Sequence, residues 1–252
     1  MKNLIFILLL FPICLFAQPN CNVYLYNGDT LQYKACVEAE KISGLYQFQR
    51  EFQDILDNAI EICPYFAYAY RAKSVAYLKS GDFLNWIKLI NKAVEYDPKE
   101  NLGYRGWCRF QFFRDYKGAI KDIEKLDSLV SYDIGYSVNG DYHLNMAKGI
   151  CYSAMGQKLE AISIFNQQIN TDGFSVGLYD YYQLGVTYCE VGEYGKALGA
   201  FEKQSEVNEF ADNVYYKCKV HKLLGNKSEY KRYKEVALKL FDEDKKMFDP
   251  YT

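Results

Sequence analysis

A spacing of 34 residues recurs along the chain and limits its fold more tightly than any local propensity does. Ile62-Cys63-Pro64 and Tyr96-Asp97-Pro98 set two prolines 34 apart, and Ala59 and Ala93 keep the same interval. Farther on, Tyr182-Gln183-Leu184-Gly185-Val186-Thr187-Tyr188 leads through Gly192-Glu193-Tyr194 to Ala197-Leu198 and Phe201. A fixed period of this length means stacked supersecondary units, each too small to bury its own apolar face and stabilised by its neighbours.

The residues inside the period say which unit it is. A Leu-Gly pair, a Tyr, a turn Gly, an Ala and a Phe at fixed places resemble the tetratricopeptide repeat, two antiparallel helices per unit. Segment 178 to 210 carries this pattern almost completely. Segment 142 to 177 repeats it with Gly149, Tyr152, Gly156, Ala161 and Phe165. Segment 67 to 100 has Tyr70, Tyr77, Gly81, Phe83, Ala93 and Pro98, with Trp86 where alanine is usual. Segment 101 to 126 offers Tyr104, Trp107, Asp115-Tyr116, Ala119-Ile120 and Ile123, one residue short at its turn. Segment 211 to 241 keeps Gly225 and Ala237, and segment 33 to 66 is held by Ala59 and Pro64. The resemblance implies an all-α superhelix, a solenoid of about six helical hairpins over residues 36 to 241. Gly and Ala stand where two helices approach closely, Gly breaks the helix at the turn, and Pro stops the second helix.

Other stretches fall outside the period. Residues 18 to 35 alternate around Asn27-Gly28, with Val23 to Tyr26 before the turn and Leu31 to Tyr33 after it, and predict a β-hairpin cap. Asp127 to Asp141 is an insertion of roughly eight residues beyond the usual link, expected on one face of the array. Residues 242 to 252 are expected as a C-terminal tail, with Asp242, Glu243 and Asp244 beside Lys245-Lys246 as a solvated helix end. At the other end, Lys2 precedes an apolar run from Leu4 to Phe16 that closes at Ala17, which predicts a signal peptide over residues 1 to 17. The run is too short to span a bilayer, which takes about 20 residues. The mature chain is therefore expected in the periplasm or outside a bacterial cell, without a transmembrane helix.

Export permits disulfides. Beyond Cys14 the cysteines are Cys21, Cys36, Cys63, Cys108, Cys151, Cys189 and Cys218, and no two have the spacing of a zinc ribbon or a redox pair. Cys36 and Cys63 are expected at the same end of one hairpin, a candidate disulfide, with Cys21 competing for either and no pairing at all equally open. Cys108, Cys151, Cys189 and Cys218 are expected as small, inert core residues.

Composition narrows function by exclusion. Thirty Lys and Arg against 32 Asp and Glu leave a formal charge of −2, which gives no electrostatic reason for a nucleic-acid partner. Two histidines, far apart, make no metal centre, and neither a nucleophile elbow nor a phosphate loop is present. No catalytic residue, metal or cofactor is expected. The 25 Tyr and 16 Phe serve packing first.

In the family resembled, the first helix of each hairpin lines a concave groove that holds a peptide or a partner helix. The register puts Tyr68, Arg71, Arg105, Arg109, Phe112 and Tyr182 on that groove, with Arg105 and Arg109 four apart so that both address one acidic group. The implied function is a non-enzymatic scaffold or adaptor that binds a protein or peptide. The alternative is a carbohydrate-binding helical module in which exposed Tyr rings stack on sugars.

Overall fold

The computed structural model describes residues 20–248, so the signal expected over residues 1–17 lies outside the described residues. The chain divides into two compact units, Met1–Asp97 and Pro98–Thr252. Both are all-α. Among the described residues extended pairing is confined to one bridge between Tyr136 and His143, and no helix is long and apolar enough to cross a membrane.

In the first unit α1 (Asn22–Tyr26) and α2 (Thr30–Ala39) are followed by a 3-10 turn, then by α3 (Arg50–Ile62), α4 (Ala67–Ser80) and α5 (Phe83–Tyr96). Helices α2 and α3 pack as one hairpin, α4 and α5 as another. The predicted β-hairpin is absent: its strands are α1 and the start of α2. The Asn-Gly-Asp segment that suggested a strand turn closes one helix and opens the next. Gly28 takes the left-handed conformation (φ 78°), its N–H donates to Leu25 O, and the Asp29 N–H donates to Tyr24 O at 2.9 Å. The Asp29 carboxylate then accepts the Gln32 N–H at 2.9 Å and caps α2.

This turn folds α1 back on α2, where a disulfide joins Cys21 to Cys36 with a Cα separation of 5.5 Å. The Cys36–Cys63 pairing is thereby corrected. Cys63 ends α3 as a buried free thiol among Leu56, Ala59 and Phe66.

The second unit holds α6 (Pro98–Phe113), α7 (Tyr116–Leu129), α8 (Leu144–Ala154), α9 (Lys158–Ile169), α10 (Asp180–Glu190), α11 (Tyr194–Val207), α12 (Ala211–Leu223) and α13 (Lys227–Asp242). They pair in order as four hairpins. The first helices stand side by side, α6 against α8, α8 against α10 and α10 against α12. Gly185 shows why the period needs its small residues. A Cβ there would come within 2.5 Å of the Phe201 ring, and Gly149 meets Phe165 in the same way one hairpin earlier. Cys151, Cys189 and Cys218 are buried free thiols and Cys108 is a buried thiol; burial raises the Cys151 thiol to about 12, far from a reactive thiolate.

The insertion is an ordered loop organised by His143. That buried ring accepts the Asn145 N–H on Nδ1 at 3.1 Å, capping α8, so Nε2 carries the proton and donates to Asp133 at 2.8 Å. The Tyr136 and Phe174 rings stand perpendicular to it. The residues after α13 also run back onto the unit. Lys245 O accepts from the Ala211 N–H at 2.7 Å, the Met247 N–H donates to Asp212 at 2.8 Å, and the Phe248 N–H donates to Tyr179 Oη at 3.3 Å.

Candidate functional site

The first helices of the second unit carry a groove of about 380 Å³. Phe110, Gln111 and Arg114 come from the end of α6, Ile150 from α8, Tyr179 and Gln183 from the start of α10, and Asp212 from α12. The His143-anchored loop adds Asp141 and Tyr142, and the returning C-terminal segment adds Met247 and Phe248. Gln183 Nε2 donates to Tyr142 Oη at 3.1 Å, which fixes the amide against the aromatic wall.

Arg114 occupies a special position. The turns between paired helices use Gly81, Gly156, Gly192 and Gly225, all at φ between 75° and 81°. The α6–α7 turn has Arg114 instead, at φ 53°. A side chain in that region costs about 1–2 kcal/mol. Arg114 is exposed on the groove and makes no ion pair among the described residues.

The six groove residues expected from sequence fare differently. Arg105 and Arg109 do converge on one carboxylate, but it is the chain's own Asp122 on α7. Arg105 grips it with Nε–Oδ2 at 2.8 Å and Nη2–Oδ1 at 2.6 Å, and Arg109 Nη1 stands 3.3 Å from Oδ2. The Asp122 side chain is 3% exposed, so this is an interior ion cluster and not a ligand clamp. Tyr182 is buried among Phe201, Phe210 and Tyr216 and belongs to the core. Phe112 is half-buried on α6. Tyr68 and Arg71 are half-buried on α4, and Tyr68 lines a separate cavity of about 420 Å³ in the first unit with Leu45, Tyr46, Phe52, Ala72 and Val75.

Sequence reasoning missed Gln183, Tyr179, Tyr142 and Arg114. No spacing links them, because the loop before α8, the α6–α7 turn and the start of α10 bring them together. The one available signal is the turn of segment 101 to 126, which lacks a glycine.

Residues 67–100, the α4–α5 hairpin and the start of α6, match the family model of the tetratricopeptide repeat. That hairpin is a tetratricopeptide repeat. The matched repeat has the bounds that the period alone delimits. A TPR repeat-containing protein of Methanocaldococcus jannaschii is 25% identical over 151 residues, which is 59% of this chain. The match spans a quarter of that relative's length.

Solved structures agree on the fold, a superhelix of helical hairpins. PilW, described as a type IV pilus biogenesis factor, is 18% identical with a TM-score of 0.62, covering 84% of this chain and 94% of that one. PilF of Pseudomonas aeruginosa is 15% identical at 0.59, covering 88% and 89%. YrrB, described as a TPR protein with an unusual peptide-binding site, is 18% identical at 0.53, covering 76% and 93%. At these identities the likeness concerns the fold alone.

Proposed function

We propose that the protein is an exported, non-enzymatic adaptor that binds a peptide segment of a partner protein in the first-helix groove of its second unit. The groove itself carries this reading. Its walls are aromatic (Phe110, Tyr142, Tyr179), and its polar groups suit an extended backbone: Gln183 offers an amide that donates and accepts, and Arg114 offers an exposed fork for a carboxylate. Asp141 and Asp212 on the same groove favour a ligand with a basic group as well. The peptide-binding site named for YrrB is consistent with this use of the fold.

Export is supported by the apolar leader over residues 1 to 17 and by the Cys21–Cys36 bridge, since disulfides persist in oxidising compartments. The non-enzymatic reading rests on the resemblance to tetratricopeptide repeats, which generally serve as binding scaffolds. Selection of a displayed peptide library on the purified protein tests the proposal. Enriched peptides are expected to lose about tenfold or more in affinity on Arg114→Glu or Gln183→Ala. Peptides indifferent to both changes, or recovery of oligosaccharides alone from a glycan array, overturn it.

A further inference from the structure

Each first helix in the interior of the second unit sits against the two helices of the hairpin before it: α8 against α6 and α7, α10 against α8 and α9, α12 against α10 and α11. The groove between α12 and α13 is built alike, yet among the described residues no helix fills it. It is a cavity of about 760 Å³, twice the size of the first-helix groove. Among the described residues the segment after α13 supplies no occupant: Lys245, Met247 and Phe248 bond to Ala211, Asp212 and Tyr179, and no residue of 243–248 lines the cavity.

The face is apolar at helical spacing. Tyr215, Cys218 and Lys222 follow one another on α12, and Tyr230, Lys234, Leu238 and Phe241 on α13. Tyr215, Leu223, Leu238 and Phe241 are each more than half exposed. A repeat face that meets water is ordinarily polar, so an exposed apolar one marks a contact surface. Its rim is cationic. Lys219, Lys222 and Lys234 are exposed and none joins a salt bridge among the described residues, while the lining holds one acid, Asp212, already engaged by the Met247 N–H.

We propose that the α12–α13 face docks an amphipathic helix of another protein, with an apolar stripe flanked by acidic residues. The three filled seats in the same unit set the shape of the occupant, and the three lysines set its charge. A second copy of the chain fits poorly, because it would bring two lysine-rimmed faces together.

Two stapled helical peptides with one Leu/Ile stripe at i, i+3, i+4 and i+7 test this, one flanked by Glu and the other by Lys. By fluorescence polarisation the Glu peptide is expected to bind about tenfold more tightly. Leu238→Glu is expected to abolish that binding, and Lys222→Glu with Lys234→Glu to reverse the preference. All three sites are exposed, so circular dichroism should show unchanged helicity. Equal binding of the two peptides, or binding that survives Leu238→Glu, overturns the proposal. So does concentration-dependent dimerisation in sedimentation velocity that Leu238→Glu abolishes, because the occupant would then be a second copy.

Discussion

Arg105 and Asp122 meet in a two-pronged ion pair across the α6–α7 hairpin, with Nε–Oδ2 at 2.8 Å and Nη2–Oδ1 at 2.6 Å. Asp122 is almost fully enclosed, and Arg109 closes on the same carboxylate. Removing the acid leaves two guanidinium groups facing one another in a poorly solvated site. Asp122→Ala should therefore lower unfolding free energy by about 3–5 kcal/mol in urea titration followed by circular dichroism. A loss below 1 kcal/mol would place the pair effectively in solvent.

Glycines divide into two classes that one measurement separates. Gly185→Ala drives a methyl into the Phe201 ring and should cost about 1–3 kcal/mol. Gly199→Ala, on the neighbouring helix α11 with open space around its Cβ position, should stabilise by up to about 1 kcal/mol through helix propensity. Thermal melts of the two variants should move in opposite directions. Equal shifts would contradict the close helix approach.

Arg114 predicts a trade between stability and binding. Arg114→Gly relieves the left-handed backbone and should raise stability by about 1 kcal/mol. The same change should weaken groove peptides that carry a carboxylate. Stability gained with affinity unchanged would show that the side chain has no part in the groove.

Asp180 gives a pH signature. Burial pushes its carboxyl up from 3.8 to about 6, only partly offset by the Gly177 N–H that donates to Oδ2 at 2.8 Å. Between pH 4 and 6 the folded chain keeps a proton that the unfolded chain has released, so rising pH favours unfolding. The loss is about 3 kcal/mol once pH exceeds 6. His143 acts in the opposite direction: burial lowers its pKa, so its contribution weakens as pH falls below 6.5. Subtracting the stability curve of Asp180→Asn from that of the wild type isolates the Asp180 contribution. The difference should fall with pH across this window, and a flat difference would contradict the burial of an ionisable Asp180.

The positions legible in sequence are those where one residue does one job. Gly81, Gly192 and Gly225 mark turns, and Gly185 with Phe201 marks a close contact, so the hairpins could be placed by period alone. Asn27-Gly28-Asp29 serves a strand turn or a helix stop and start equally well, and packing of α1 on α2 decided between them. The register sets Tyr182 on the groove, yet a first helix has neighbours on several sides and the ring packs against Phe201, Phe210 and Tyr216. The four-residue spacing sets Arg105 and Arg109 on one face of α6, and the acid they share is Asp122 of α7. Asp122 stands within the apolar run Ala119, Ile120, Ile123 and Leu126, and a lone acid there signals an internal partner. The groove residues had no common spacing to read, since tertiary structure alone assembles Arg114, Tyr142, Tyr179 and Gln183.

Amide hydrogen exchange of the protein, alone and saturated with a library-selected peptide, tests the binding site most directly. The account predicts added protection at the end of α6, in α8 and at the start of α10. Protection confined to the second helices α7, α9 and α11, or spread without pattern, would contradict it.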